Sequence, residues 1–255
     1  MTDMPASTAR HTVRPRRTVA VVLAGGTGSR VGGEMPKQLI EVAGRTVLEH
    51  TLTAVGRSAA VDEILLLMHP DHIDEAHRLA SGHPKVAQVL AGGATRSDTT
   101  RIALEAIAAR ADPKEDPLVL LHDAARPLVD DRIIGDVVAA LADHDAVTVA
   151  IPSADTLVVV DDDGLVTAMP DRARVWRSQT PQGFRLSVIR AAFERATADP
   201  AFTATDDCSV VFAHLPDVPI AVVRGSTTNL KVTHPEDVAV LELLLRERSD
   251  RHPDR

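Results

Sequence analysis

Arg30 and Lys37 stand on a glycine-rich loop, within the run VAVVLAGGTGSRVGGEMPKQ from Val19 to Gln38. Val19 to Leu23 is a short apolar, β-rich run, too short for a helix and consistent with a buried strand. Gly25, Gly26, Gly28, Gly32 and Gly33 follow it. Such a loop lets backbone N–H groups approach phosphate oxygens without interference from Cβ. Two fixed cations on the loop, bracketing Pro36, make the cradle a place where chemistry at a phosphate could occur.

Four further motifs carry polar groups to the ends of strands. GGATRSDTT, Gly92 to Thr100, opens a helix with Ser97 and Asp98 as expected caps, and a helix N-terminus suits an anion. HDAARP, His122 to Pro127, closes another strand. It aims Asp123 at a cleft, where a carboxylate can hold Mg²⁺ through one oxygen or through water. QTPQ, Gln179 to Gln182, sets Thr180 beside an expected proline turn. NLKVTHPED, Asn229 to Asp237, places Lys231 on an expected short strand before a helix start. Each has a plainer reading: an ordinary capped helix, an Asp123–Arg126 ion pair, a solvated lysine.

The elements that must position these groups alternate along the chain. Strands are expected at Val19–Leu23, Glu63–Met68, Val86–Leu90, Leu118–Leu121 and Ala146–Ile151. Helices fall between and after them at Thr46–Val55, Asp71–Leu79, Ser97–Ala109 and Asp130–Leu141. That rhythm implies βαβ units, a Rossmann-like mostly parallel sheet with helices on both faces, and ligands at the carboxyl ends of the strands. From Pro152 to Pro170 the rhythm breaks. Two β-prone runs, Thr156–Val160 and Leu165–Met169, flank Asp163-Gly164, a hairpin signal that reads as a protruding arm at 152–172. A short strand near Trp176, a helix at Leu186–Arg195, a short helix after Thr205, a strand at Ile220–Arg224 and a helix at Pro235–Leu245 complete the expectation. The chain divides into a disordered tail over 1–17, one domain over 18–248 carrying the arm, and a second tail over 249–255.

The 255 residues are 44% hydrophobic and 25% charged, with a net charge of −8, ordinary for a soluble domain and unlike the basic footprint of a nucleic-acid binder. Aromatics are 2% of the chain, which leaves few platforms on which bases could stack. The single cysteine, Cys208, excludes an internal disulfide and fits a reducing, cytoplasmic setting. No apolar run reaches the length of a membrane span.

Taken together, LAGGTGSR with MPKQ, GGATRSD, HDAARP, the ADT of the arm, DRARVWRSQTPQ, TDDCSVV and NLKVTHPED resemble the 2-C-methyl-D-erythritol 4-phosphate cytidylyltransferase family over Thr18 to Leu245. The glycine loop is shared with many sugar nucleotidyltransferases. HDAARP, QTPQ and the KVTHPED ending are far more specific. The resemblance implies CMP transfer from CTP, with Mg²⁺, by in-line attack on the α-phosphate. Arg30 and Lys37 would stabilise the transition state, and Arg172 and Lys231 would position the methylerythritol phosphate. Thr156, Thr180 and Thr205 would line that second pocket, with Thr156 and Arg172 supplied across a homodimer by the partner's arm. Ala24, Gly25, Gly26, Gly28, Gly92, Gly93, Asp98, Thr99, Asp123, Ala124 and Arg126 would hold the nucleotide, with Asp123 beside the metal.

Other readings have sequence features of their own. D-ribitol 5-phosphate cytidylyltransferases are a sister group in which AGGTGSR and the PDRARVW segment would also be at home; HDAARP and KVTHPED favour the methylerythritol enzyme. A nicotinamide-binding Rossmann enzyme needs G-x-G-x-x-G, yet Gly26-Thr27-Gly28 is followed by Val31 where the last glycine belongs. A nucleotide-binding module without chemistry leaves Arg30, Lys37, Arg172 and Lys231 unexplained.

Overall fold

The computed structural model describes residues 16–26, 36–199 and 201–251. In chain order the strands and helices are β1 (Thr18–Ala24), β2 (Glu41–Val42), β3 (Arg45–Thr46), α1 (Val47–Arg57), β4 (Glu63–Met68), α2 (Ile73–Ala80), β5 (Val86–Ala91), α3 (Arg96–Arg110), β6 (Leu118–Asp123), α4 (Asp131–Ala140) and β7 (Ala146–Pro152). They continue with β8 (Val159–Val160), β9 (Val166–Ala168), β10 (Trp176–Arg185), α5 (Leu186–Thr197), α6 (Asp207–His214), β11 (Ile220–Arg224) and α7 (Pro235–Arg251).

Seven strands form one sheet in the order β11-β7-β10-β6-β1-β4-β5. β1 pairs in parallel with β4 and β6, β4 with β5, and β7 with β11. β10 alone runs against both its neighbours, β6 and β7. From β1 the chain first moves outward through β4 to β5, then returns to place β6 on the other side. The carboxyl ends of β1 and β6 therefore form a topological switch point, where open α/β sheets open a ligand crevice.

Period-two side-chain alternation gives the central strands two buried faces. Ala20, Val22 and Ala24 of β1 join Ile64, Leu66 and Met68 of β4 in a core closed by α1, α2 and α4. Val19, Val21 and Leu23 join Leu65 and Leu67 in a second core on the opposite face, against α3, α5 and α6. A smaller cluster seats α7 through Leu241, with Val42, Val47, Leu128 and Val232. Several helix starts have a local cause. Thr46 and Glu49 form a capping box on α1, and Asp130 caps α4.

Several boundaries differ from expectation. The strand near Trp176 is ten residues long and lies inside the sheet. QTPQ is part of it rather than a turn, with a cis Thr180–Pro181 bond and a register shift between Gln179 and Gly183. Polar residues in a buried strand hid this element from a hydrophobicity-based reading. The hairpin strands β8 and β9 are shorter than expected, and the side chains around them are exposed. Asp161 Oδ1 accepts from the N–H groups of Asp163 and Leu165 to form the tip. Arg17, assigned to the tail, accepts from the Leu118 N–H at 2.9 Å and pairs with Glu63. α7 runs to Arg251, past its expected end at Leu245. Lys231 lies on an irregular segment, not on a strand. Among the described residues no helix is long and apolar enough to cross a membrane.

Candidate active site

A cleft of about 530 Å³ opens at the carboxyl ends of β1, β4 and β6. Ala24, Gly25 and Gly26 form one wall, Gly92, Gly93 and Thr99 another, and Asp123 with Ala124 a third, while Lys37 and Lys231 also face the space. Ten of the residues singled out from sequence thus converge on a single cleft. Gly28 and Arg30 lie outside the described residues.

The two glycine segments are held together by the first turn of α3. Thr99 Oγ1 accepts from Gly93 N–H at 3.1 Å and donates to the Thr95 carbonyl at 2.9 Å. A Cβ on Gly25 or Gly92 would meet that same oxygen at 3.2 or 3.1 Å, and one on Gly93 would stand 2.4 Å from Asp98 Cβ. Glycine is needed there because helix and loop approach so closely. Gln38, just past Lys37, donates to the carbonyls of Ala24 and Gly26 and so fixes the far side of the loop. The cap of α3 is Thr95, not Ser97. Asp98 turns away from the cleft and accepts from Thr95 N–H and Oγ1, completing a capping box.

Asp123 is the electrostatic centre. Its Oδ1 accepts from Arg96 Nη1 at 2.8 Å, and its Oδ2 lies 2.8 Å from Lys231 Nζ and 3.8 Å from Arg126 Nε. Burial by itself would raise the Asp123 carboxyl; Arg96, Lys231 and Arg126 together hold it well below the usual carboxylate range. Arg126, expected at the nucleotide, donates to the Asn229 carbonyl at 2.8 Å, and its own pKa is lowered by burial. Asn229 Nδ2 in turn donates to the Thr180 carbonyl at 2.9 Å, and Gln179 donates to the Ser226 carbonyl at 2.9 Å. The Val232 N–H reaches the Ala125 carbonyl at 2.8 Å. These bonds bind the segment carrying Lys231 to β10 and to the end of β6.

The residues expected around the acceptor are not gathered in this cleft. Thr180 is buried beneath it, with its hydroxyl engaged by Asp123 N–H and His122. Thr156, Arg172 and Thr205 are exposed outside it. Sequence reading passed over Arg96, Gln38, His69 and Thr233, all of which line the cleft, and the buried Asp207. Gln38 follows the loop lysine directly and Arg96 lies inside a motif already quoted; polarity at those places was the available signal.

Cationic groups outnumber carboxylates in the cleft, where Asp123 is the one acidic lining residue among the described residues. No cluster of three potential metal ligands occurs among them either. A divalent cation here fits only as a shared ion, held by one carboxylate and completed by phosphate oxygens, which is a common mode for Mg²⁺.

The family model described as 2-C-methyl-D-erythritol 4-phosphate cytidylyltransferase matches residues 18–247. A protein of that name from Thermobifida fusca is 49% identical over 239 residues, covering 91% of this chain and 95% of its own length. The crystal structure of a 4-diphosphocytidyl-2C-methyl-D-erythritol synthase from Anaerococcus prevotii is similar at a TM-score of 0.80 and 32% identity, covering 91% of this chain and 99% of that one. A bifunctional ribulose 5-phosphate reductase/CDP-ribitol pyrophosphorylase from Haemophilus influenzae is 37% identical over 236 residues, covering 91% of this chain but 49% of its own length. By the extent of these matches, the chain belongs to the 2-C-methyl-D-erythritol 4-phosphate cytidylyltransferase family.

Proposed function

We propose that the protein transfers CMP from CTP to 2-C-methyl-D-erythritol 4-phosphate. The observation that carries this reading is the convergence of two glycine segments, Lys37, Lys231 and Asp123 on one cleft at the switch point of the sheet, in a chain of this family. An oxygen of the acceptor's phosphomonoester attacks the α-phosphorus of CTP in line. The bond from that phosphorus to the bridging oxygen of the β-phosphate breaks, and pyrophosphate leaves. A diphosphate-linked product requires a phosphate oxygen as the nucleophile.

Little covalent work falls to the protein, so its contribution is placement and charge. A cation about 4 Å from developing charge, at an effective dielectric of about 20, contributes roughly 4 kcal/mol, close to a thousandfold in rate. Lys37 and Arg30 take that role at the α-phosphate. Lys231 orients the acceptor phosphate, and Arg172 binds its oxygens with a planar fork. Asp123 would hold Mg²⁺ jointly with the triphosphate, and the ion would neutralise phosphate charge when bound. The N-terminus of α3 favours the nucleotide's anionic end, and Gly92 and Gly93, whose own N–H groups are taken by the Met68 carbonyl and Thr99 Oγ1, let the nucleotide approach the backbone closely.

The acceptor pocket is completed in a homodimer. Thr156 and Arg172 sit at the base of a hairpin whose Val160, Leu165, Val166 and Met169 are exposed, apolar surface that a second copy would cover. Arg172 and Thr156 then enter the partner's site, beside Thr205. The setting is cytoplasmic.

CDP-ribitol synthesis is the second reading, favoured by the 37% identity to the Haemophilus influenzae protein. One experiment separates the two. Pyrophosphate release from CTP and Mg²⁺ is measured with methylerythritol 4-phosphate and ribitol 5-phosphate in parallel. A preference of about a hundredfold in kcat/KM for the former, roughly 2.7 kcal/mol, is expected, and the opposite preference reassigns the acceptor.

A further inference from the structure

Arg96 is a cation where a helix favours anions. It is the first residue of α3, at the positive end of the helix dipole, and it lies on the cleft wall with its side chain 34% exposed. Two carboxylates offset its charge. Nη1 donates to Asp123 Oδ1 at 2.8 Å, and Nη2 donates to Asp207 Oδ2 at 2.5 Å. The Asp207 side chain is only 2% exposed, and its other oxygen accepts from Thr100 Oγ1 at 2.8 Å.

Fold stability alone is a poor reason for such an arrangement. A buried ion pair is often no more stabilising than apolar side chains of the same volume. A basic residue at the start of a helix adds a further cost. What the bridge does is join two parts of the site. Asp207 opens α6 directly after Asp206, the cap of that helix, which accepts from Gln182 at 2.7 Å and Ser178 at 3.1 Å. Thr205 precedes that cap. At its other end, by taking Oδ1 of Asp123, Arg96 leaves Oδ2 turned toward Lys231 Nζ at 2.8 Å.

We propose that Arg96 is a positioning residue for the transfer reaction. Clamped by Asp207, it sets the Asp123 carboxylate so that one oxygen faces Lys231, and it keeps the start of α6 in register with that pair. The inference rests on the function proposed above, in which Lys231 orients the acceptor phosphate. Its larger effect falls on the acceptor and on turnover; because Asp123 would also share an ion with the triphosphate, the KM for CTP shifts in the same direction but less.

The test is a double-mutant cycle of Arg96→Lys and Asp207→Asn, read as kcat, KM for acceptor and KM for CTP, with melting temperature as the folding control. Each single variant is expected to lose ten- to a hundredfold in kcat/KM for the acceptor, with the KM for CTP within threefold of the parent. The double variant should lose no more than the weaker single variant, since both substitutions break the same clamp. Additive losses, a loss confined to the KM for CTP, or unchanged kinetics each overturn the inference. If Asp207→Asn does not fold, Arg96→Lys and Arg96→Gln on the partly exposed wall carry the same readout: the KM for acceptor rises well beyond the threefold allowed for CTP. A parent protein that releases pyrophosphate with neither polyol phosphate overturns the functional reading and this inference with it. An active parent with insensitive variants overturns this inference alone.

Discussion

The Thr180 hydroxyl joins two consecutive residues of β6: it accepts from the Asp123 backbone N–H at 3.1 Å and lies 3.0 Å from His122 Nδ1. His122 Nε2 is 3.1 Å from the Arg126 carbonyl, which can only accept. Nε2 therefore carries the proton and Nδ1 accepts from Thr180. A single hydroxyl thus fixes the strand end that presents Asp123. Thr180→Val leaves the Asp123 N–H and His122 Nδ1 without partners in a buried site, at a cost of at least about 2 kcal/mol. Chemical denaturation should show a lowered midpoint, with Thr180→Ser restoring it; an unchanged midpoint for the valine variant contradicts the network.

Burial pushes the His122 imidazole down to about 4, so it is neutral in the folded protein at physiological pH. Its unfolded value is near 6.5. Between those values the unfolded chain binds the proton that the folded chain refuses, so stability falls as pH drops from about 6.5 toward 4. The full swing is on the order of 3 kcal/mol. Urea unfolding at pH 7, 6 and 5 should follow this trend, and His122→Gln should flatten it. Asp123 contributes in the same direction further down. Its lowered carboxyl supports the fold at neutral pH and is lost only as pH falls below the ordinary carboxylate range.

Lys37→Ala tests the charge assigned to the α-phosphate. Pyrophosphate release at saturating CTP should fall by about a hundredfold or more. Lys231→Met should instead raise the KM for the acceptor. If both variants behave alike, the separate roles assigned to the two lysines are wrong.

Gly93→Ala tests the close approach of loop and helix. A Cβ only 2.4 Å from Asp98 Cβ forces the first turn of α3 to shift. CTP binding followed by calorimetry should weaken by about tenfold, roughly 1.4 kcal/mol. Gly135→Ala is the contrasting case. That glycine lies inside α4, with nothing within 4 Å of an added Cβ, and the substitution should stabilise the protein by up to about 1 kcal/mol.

Val160→Glu with Met169→Glu tests the proposed assembly. Sedimentation should show a shift from dimer to monomer, together with a raised KM for the acceptor. A dimer that persists with unchanged acceptor kinetics removes the shared-site arrangement.

Much of this was readable from the chain because the central parallel strands β1, β4 and β6 are buried on both faces and announce themselves by apolar runs. Glu63–Met68 and Ile220–Arg224 have the expected limits. β10 announced itself only near Trp176, since farther along Ser178, Gln179, Thr180 and Gln182 satisfy one another and their neighbours by hydrogen bonds. The cleft was legible at its glycines, whose chemistry is local. It was less so at Arg126 and Asp98, whose hydrogen bonds to Asn229 and Thr95 no motif announced. Nor did spacing along the chain reveal Arg96 and Asp207, whose pairing spans 111 positions.

The reversed direction of β10 has a consequence for how the molecule is assembled in time. Because β7 and β10 are antiparallel neighbours, the segment between them leaves and returns at the same end of the sheet, closed at its base by Ser153 N–H on the Val175 carbonyl at 3.0 Å. The excursion spans no gap in the sheet and carries none of its hydrogen-bond ladder. The catalytic sheet can therefore complete itself within a single polypeptide before any second copy arrives. Insertions or deletions in the excursion change its reach without disturbing the register of the strands that hold Asp123.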